Sequence, residues 1–247
     1  MLDFRKIANE YPGALNKHFL DAACVGLMPR ASKKAINDFL EMALMCPAES
    51  STIHHLQMDE MRKDLLPESS KLFLTNTENL AIIESTTHGL NIIASSLKFP
   101  AGSEILTTDI EFLQVPIPWA MQPDLNVIEV PCEKGYVLPE VFEKYITPKT
   151  KLVVISSTQW NNGFRCDMKA FADMCHRHNI IFGVDAVQQV GAIATYPEKE
   201  RVDFLVAGGH KWLNAPFGCG VMYIAPSLLA MMKGQSWGYL NLADPDG

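Results

Sequence analysis

The sequence predicts an α/β fold, a mostly parallel central sheet with helices on both faces. Three observations carry the prediction. Short Val/Ile-rich runs recur along the chain, and amphipathic stretches of helical period separate most of them. No internal repeat or low-complexity linker interrupts the pattern between residues 20 and 224. Strands that are apolar on both faces belong to sheets covered on both sides, and their alternation with helices favours parallel pairing.

Residues 31–46 place Ile36, Phe39, Leu40, Ala43 and Leu44 on one helical face. A short apolar strand at 81–83 runs into T-T-H-G-L-N-I-I-A-S-S-L, which reads as a helix. Strands follow at 104–107, 127–130, 152–156, 180–185, 204–207 and 220–224, with helices at 115–121, 139–145 and 168–178. His54-His55 stands near a helix start and has no partner visible in sequence. The final N-L-A-D-P-D-G is polar and turn-like.

With 247 residues, 48% of them hydrophobic, the chain has room for one large domain or two small ones. A net charge of -7 argues against nucleic acid or an anionic membrane as partner. No run approaches the roughly eighteen apolar residues of a membrane span, and M-L-D-F-R-K-I-A-N-E has no apolar leader core. The six cysteines form no C-x-x-C pair, and Cys175 with His176 and His178 falls short of a closed metal site. The expectation is a reduced, cytoplasmic protein without a metal.

In such a sheet, ligands bind at the carboxyl ends of the strands. The loops at 85–87, 156–163, 185–188 and 208–211 would share that edge. Two of them end apolar runs: F-G-V-D-A-V-Q-Q brings Asp185, and V-A-G-G-H-K-W brings Lys211 after His210. An amine able to form an imine and an anion for a ring nitrogen are what pyridoxal 5'-phosphate needs. An anion there also favours the protonated ring. Gln188 could reach the ring's phenolic oxygen, or lie solvated on a helix. Ser85-Thr86-Thr87-His88-Gly89 opens a helix after a strand, which makes either a phosphate cradle or an ordinary N-cap. Gly208 and Gly209 allow close backbone approach, and His210 can donate to the phosphate. Trp212 reads as packing beneath the loop. Phe112 could lie on a cofactor ring or in the core. S-S-T-Q-W-N-N-G, rich in hydrogen-bonding groups, reads as the substrate side.

These motifs, in this order, resemble those of fold-type I pyridoxal-phosphate enzymes, and specifically the class V aminotransferase family. That family includes cysteine desulfurases and isopenicillin-N-epimerase-like proteins. The resemblance runs from about His18 to Ile224. F-L-D-A-A-C-V-G-L-M-P resembles the family's opening run of small residues before a proline. E-S-T-T-H-G-L-N resembles its phosphate-binding G-T-T-E-G-I-N. T-T-D-I-E-F resembles the stretch bearing the ring-stacking residue. V-D-A-V-Q resembles V-D-x-x-Q, and G-G-H-K-W resembles S-G-H-K.

The resemblance implies roles. Lys211 would be the Schiff-base lysine and proton shuttle. Asp185 would pair with the pyridine nitrogen and Gln188 with the phenolic oxygen. Thr87 and His210 would hold the phosphate with backbone help from Thr86, and Phe112 would stack on the ring. Gly208 stands where a phosphate-binding serine is common. Phe112 replaces the histidine typical of desulfurases, and with S-T-Q-W-N-N-G-F-R it points toward the epimerase-like branch.

The resemblance further implies an N-terminal segment (1–20), a pyridoxal-phosphate-binding large domain (21–247) and no C-terminal small domain. That missing domain usually supplies the arginine that grips the substrate carboxylate. A homodimer with an amino-acid substrate is expected. The reaction would be transamination, β-elimination or epimerisation. The alternative is a truncated, catalytically weak or inactive cofactor-binding fragment. A Rossmann-type nucleotide binder is disfavoured by the absence of G-x-G-x-x-G.

Overall fold

Seven strands form one sheet in the computed structural model, which describes residues 3–234, 236–238 and 241–242. In the closing polar stretch, residues 243–247 lie outside the described residues. The strands are β1 (Leu80–Ile83), β2 (Ser103–Thr108), β3 (Leu125–Val130), β4 (Thr150–Ser156), β5 (Ile181–Asp185), β6 (Phe204–Gly208) and β7 (Gly220–Ile224). Their spatial order is β1-β7-β6-β5-β4-β2-β3. Every neighbouring pair from β6 to β3 is parallel, and β7 alone runs against β1 and β6. The connection from β6 to β7 contains no helix, and antiparallel neighbours do not need a crossover.

The alternation of side chains along β4 and β6 divides the core. Val153, Ile155, Leu205 and Ala207 face a cluster with Phe73, Phe142, Phe171 and Phe182. Leu152, Val154, Phe204 and Val206 face a second cluster with Leu90, Ile93 and Trp119. The sheet is thus covered on both sides, as the apolar runs predict. Each fully buried Phe, Leu or Ile contributes about 1.5–3 kcal/mol to folding. α8 (Met168–Arg177) covers the first face. Asp167 caps it by accepting from the Ala170 N–H at 2.9 Å, and Asn179 ends it in the left-handed region at φ 55°. Its Phe171 stacks on Phe182, with ring centroids 5.8 Å apart. α5 (Thr86–Ser96) covers the second face. Ser85 caps it by accepting from the His88 N–H at 3.1 Å. Gly89 lets α5 press onto the sheet, because a Cβ there would stand 2.8 Å from Ile83 and Val206.

The helix expected at 115–121 is shorter in the structure. α6 (Ile117–Ala120) is confined by Pro116 and Pro118, neither of which has an N–H to donate. The stretch at 139–145 divides into α7 (Pro139–Phe142) and a 3₁₀ turn. α2 (Arg30–Met45) lies where the apolar stripe places it. α1 (Phe4–Glu10), α4 (Leu65–Phe73) and the short α9 (Pro226–Leu229) were not expected from the sequence, whereas α3 (Ser51–Glu60) begins just ahead of His54-His55, where the sequence places a helix start. No residue of α1, α2 or α3 is buried. His176 pairs with Asp203 and His178 with Glu143, each at 3.0 Å, so carboxylates on other segments hold both histidines of the C-H-R-H run. All six cysteines are free. Among the described residues, no helix is long and apolar enough to cross a membrane.

Candidate active site

The carboxyl ends of β1, β2, β4, β5 and β6 deliver their loops to one cavity of about 560 Å³. Thr86, Phe112, Gln114, Trp160, Gln188, His210 and Lys211 line it, and the segment around Asp21, Ala23 and Cys24 forms a further wall. A volume of several hundred Å³ suits a small-molecule cofactor or substrate.

Asp185 ends β5 and is 1% exposed. Its Oδ1 accepts from the Val187 N–H at 2.9 Å and its Oδ2 from the Gln114 amide at 2.8 Å. Burial pushes its pKa up to about 6, against the pull of those two donors and of Lys211, while Glu111 adds to the rise. Lys211 is half-buried, and burial lowers its pKa, opposed by Asp185 and Cys24. Its Nζ lies 5.8 Å from the centre of the Phe112 ring. Phe112 is not a core residue: it is 38% exposed, and it packs edge-on against Trp160 with centroids 5.6 Å apart. Glu111, just before it, ties this loop to the end of β4 by accepting from the Ser156 N–H at 2.7 Å.

At the other end of the cavity, Thr86 opens α5. Its Oγ1 accepts from the Gly208 N–H at 2.9 Å, and it faces inward. Thr87 is exposed and turns away toward the Gln114 amide oxygen, 3.2 Å distant. Successive helical residues point about 100° apart, and here Thr86 is the one of the two threonines that lines the cavity. His210 stacks on Phe217 at 4.7 Å, and burial, with the Lys211 charge, lowers its pKa. A Cβ at Gly208 would stand 3.1 Å from both Thr86 Oγ1 and His210 Nδ1, so the glycine lets both approach the end of β6.

Gln188 is engaged on both sides. It donates to the Ala23 carbonyl at 2.9 Å and accepts from the Trp212 indole N–H at 2.9 Å, keeping a second amide hydrogen. Trp212 therefore does more than pack. The N-terminal segment also crosses the lysine loop directly. The Gly26 N–H donates to the His210 carbonyl at 2.8 Å, and a Cβ at Gly26 would lie 2.0 Å from the Lys211 carbonyl oxygen.

The family model for "Aminotransferase class-V" matches residues 18–240. The chain belongs to the class-V aminotransferase family. Curated relatives include a probable cysteine desulfurase of Borreliella burgdorferi, 33% identical over 66% of this chain and 40% of that protein. An uncharacterized aminotransferase of Bacillus subtilis is 30% identical over 67% of this chain and 45% of its own length. One of Schizosaccharomyces pombe is 28% identical over 80% and 50%. The chain thus spans about half the length, or less, of these relatives. Among solved structures, C-DES with glycine covalently linked to its pyridoxal-phosphate cofactor superposes with a TM-score of 0.88 at 22% identity, over 97% of this chain and 63% of that one. The Escherichia coli cysteine desulfurase CsdA gives 0.86 at 20%, over 96% and 62%. At such identities the agreement is one of fold.

Class-V aminotransferases use pyridoxal phosphate. The donor set of this cavity fits that group: a buried carboxylate, an amine with a lowered pKa, and a helix N-terminus beside a histidine. Gln114, Cys24, Asp21 and Trp160 are cavity residues that the sequence does not single out. Cys24 and Asp21 lie within the opening motif and Trp160 within the hydrogen-bonding stretch, but Gln114 carries no signal of its own.

Proposed function

We propose that this chain is the pyridoxal-phosphate-binding domain, residues 21–247, of an enzyme acting on an amino acid. It would be a transferase or lyase of the class-V type, catalysing transamination, β-elimination or epimerisation. One observation carries the reading: Lys211 lines the cavity, and Asp185, from the neighbouring strand end, is buried against the cavity residues Gln114 and Val187, within electrostatic reach of Lys211. The cofactor supplies an electron sink for a substrate carbanion.

The chain's own groups take the remaining tasks. Lys211 Nζ would hold the cofactor and would carry a proton at the substrate carbon, and its lowered pKa enlarges the neutral fraction that both tasks need. Asp185 would hold the ring nitrogen and favour its protonated form. Phe112 would pack against the ring. Thr86 and His210, with the first free N–H groups of α5, hold the phosphate. Thr87 contributes through its backbone N–H, since its hydroxyl turns toward Gln114. Gln188 offers its remaining amide hydrogen to the phenolic oxygen.

A homodimer is supported by the apolar side chains that α2 leaves exposed, among them Phe39, Leu40 and Leu44. A cytoplasmic location is supported by the six free thiols. The second reading, a cofactor-binding unit with little turnover, is favoured by the cavity lining, which holds Lys211 and His210 but no arginine for a substrate carboxylate.

Pyridoxal phosphate added to the purified protein should give the visible absorbance of the lysine-bound cofactor, and Lys211→Ala should abolish it. A wild type without the band overturns the assignment. Turnover of amino acids by this chain alone would reject the second reading.

A further inference from the structure

Gln114 is one of the cavity residues that the proposed chemistry leaves without a task. It sits in the loop between β2 and α6, and its amide reaches two elements at once. Nε2 donates to Asp185 Oδ2 at 2.8 Å, and Oε1 accepts from the Thr87 hydroxyl at 3.2 Å. An ionised carboxylate only accepts, so the NH₂ side must face Asp185, and the hydroxyl of Thr87 is free to donate to the oxygen side. The chemistry of its neighbours thus fixes the orientation of the amide.

The mounting is firm. Val115 beside it is fully buried, and its N–H donates to the Phe112 carbonyl at 2.9 Å. The same short turn therefore presents both the ring that faces Lys211 and the amide that faces Asp185. With Val187 on Oδ1, the Gln114 amide completes the hold on both oxygens of a buried carboxyl group. An oxygen with two lone pairs can take this N–H and still accept another. Gln114 lines the cavity in front of an acid that does not itself line it.

We propose that Gln114 is a positioning residue whose amide clasps Asp185 and Thr87 together, aiming the acid at the cofactor ring and tying the ring end of the site to its phosphate end. The proposal rests on the reading of this cavity as a pyridoxal-phosphate site. The charged groups facing Asp185 are Glu111, from the same loop as Gln114, and Lys211, from the loop after β6. One opposes and the other favours ionisation, and the clasp adds a donor on the favouring side.

The test uses Gln114→Leu, which keeps bulk and removes both polar contacts. In the cofactor-free protein, the Asp185 carboxyl is followed by carbon NMR against pH. Its midpoint, about 6 in the wild type, should move upward. Pyridoxal phosphate affinity, read from the visible band, should fall about tenfold or more, the worth of one hydrogen bond to a charged group. An unchanged midpoint overturns the proposal even if affinity falls, because a merely structural role would leave the titration alone. Unchanged or tighter binding also overturns it, and tighter binding would make Gln114 a plug rather than a clasp. If Gln114→Leu does not fold, Gln114→Glu serves. Its carboxylate faces Asp185, so affinity should fall more at pH 8 than at pH 5, and equal loss at both overturns the proposal. A wild type without the band sinks the reading of the site, whereas the NMR midpoint still judges the clasp.

Discussion

The two ends of the cavity are built differently. At the end proposed for the cofactor ring, side chains do most of the work: the Asp185 carboxyl is held on both oxygens, and Phe112 and Trp160 wall the approach. At the end proposed for the phosphate, the backbone dominates. Thr86 spends its acceptor on the Gly208 N–H, Gly208 offers no side chain, and the first turn of α5 supplies free N–H groups. The ring end therefore depends on individual residues and the phosphate end on the path of the chain. Single substitutions should hurt the first far more than the second.

The largest expected effect of that kind is at Asp185. Asp185→Asn should slow turnover by a hundredfold or more while changing cofactor affinity much less, since charge on the ring assists the chemistry more than the binding. Comparable losses in both, measured by steady-state kinetics and by titration of the visible band, would break the contrast. The same variant has a pH signature without cofactor. Asp185 has a folded pKa of about 6, above its unfolded value, so its burial is fully tolerated below about pH 4 and costs stability as pH rises through 6. Asp185→Asn should therefore be more stable than wild type at pH 8, by on the order of 2–3 kcal/mol, and equally stable near pH 4, as read from thermal melts at the two pH values.

A smaller effect is expected at the other end. Thr86→Val removes the acceptor of the Gly208 N–H and should weaken pyridoxal phosphate binding severalfold, with about 1 kcal/mol of lost stability, measurable by band titration and thermal melts. Turnover at saturating cofactor should be nearly unchanged, and a collapse in turnover would show that side chains matter equally at both ends. The smallest effect belongs to Gly208→Ala. The added Cβ meets Thr86 Oγ1 and His210 Nδ1 at 3.1 Å, both pinned by their own partners. Stability should drop by about 1 kcal/mol, and a more stable variant would show that this corner has slack.

The same contrast governs what the sequence reveals. Asp185 and Lys211 are legible because each ends an apolar run, and a buried strand announces its own length. Phe112 is legible only by resemblance, since a lone aromatic residue is as often core. Thr86 and Thr87 are legible as a pair, but which faces inward depends on the phase of α5, which its packing on Ile83 and Val206 sets. Gln114 is not legible: it sits in an aperiodic, proline-flanked loop, and its partners lie 71 and 27 residues away. α3 is only partly legible: a helix start is read near His54-His55, but its apolar residues do not gather on one face, so its extent is not marked. The direction of β7 is hidden too, since its five residues read alike in either orientation.

The crossing of Gly26 over the lysine loop bears on how the protein reaches its native state. Gln188 and the Ala23 carbonyl meet although they lie 165 positions apart in sequence, among the most remote contacts of the described residues. Contacts that close long loops form late, because entropy must be lost before they contribute. The sheet can therefore assemble while the lysine loop still lacks its cover, and the stretch around Ala23 and Gly26 is among the last to dock. A protease that cuts ahead of Gly26 would leave a folded sheet with an open cavity.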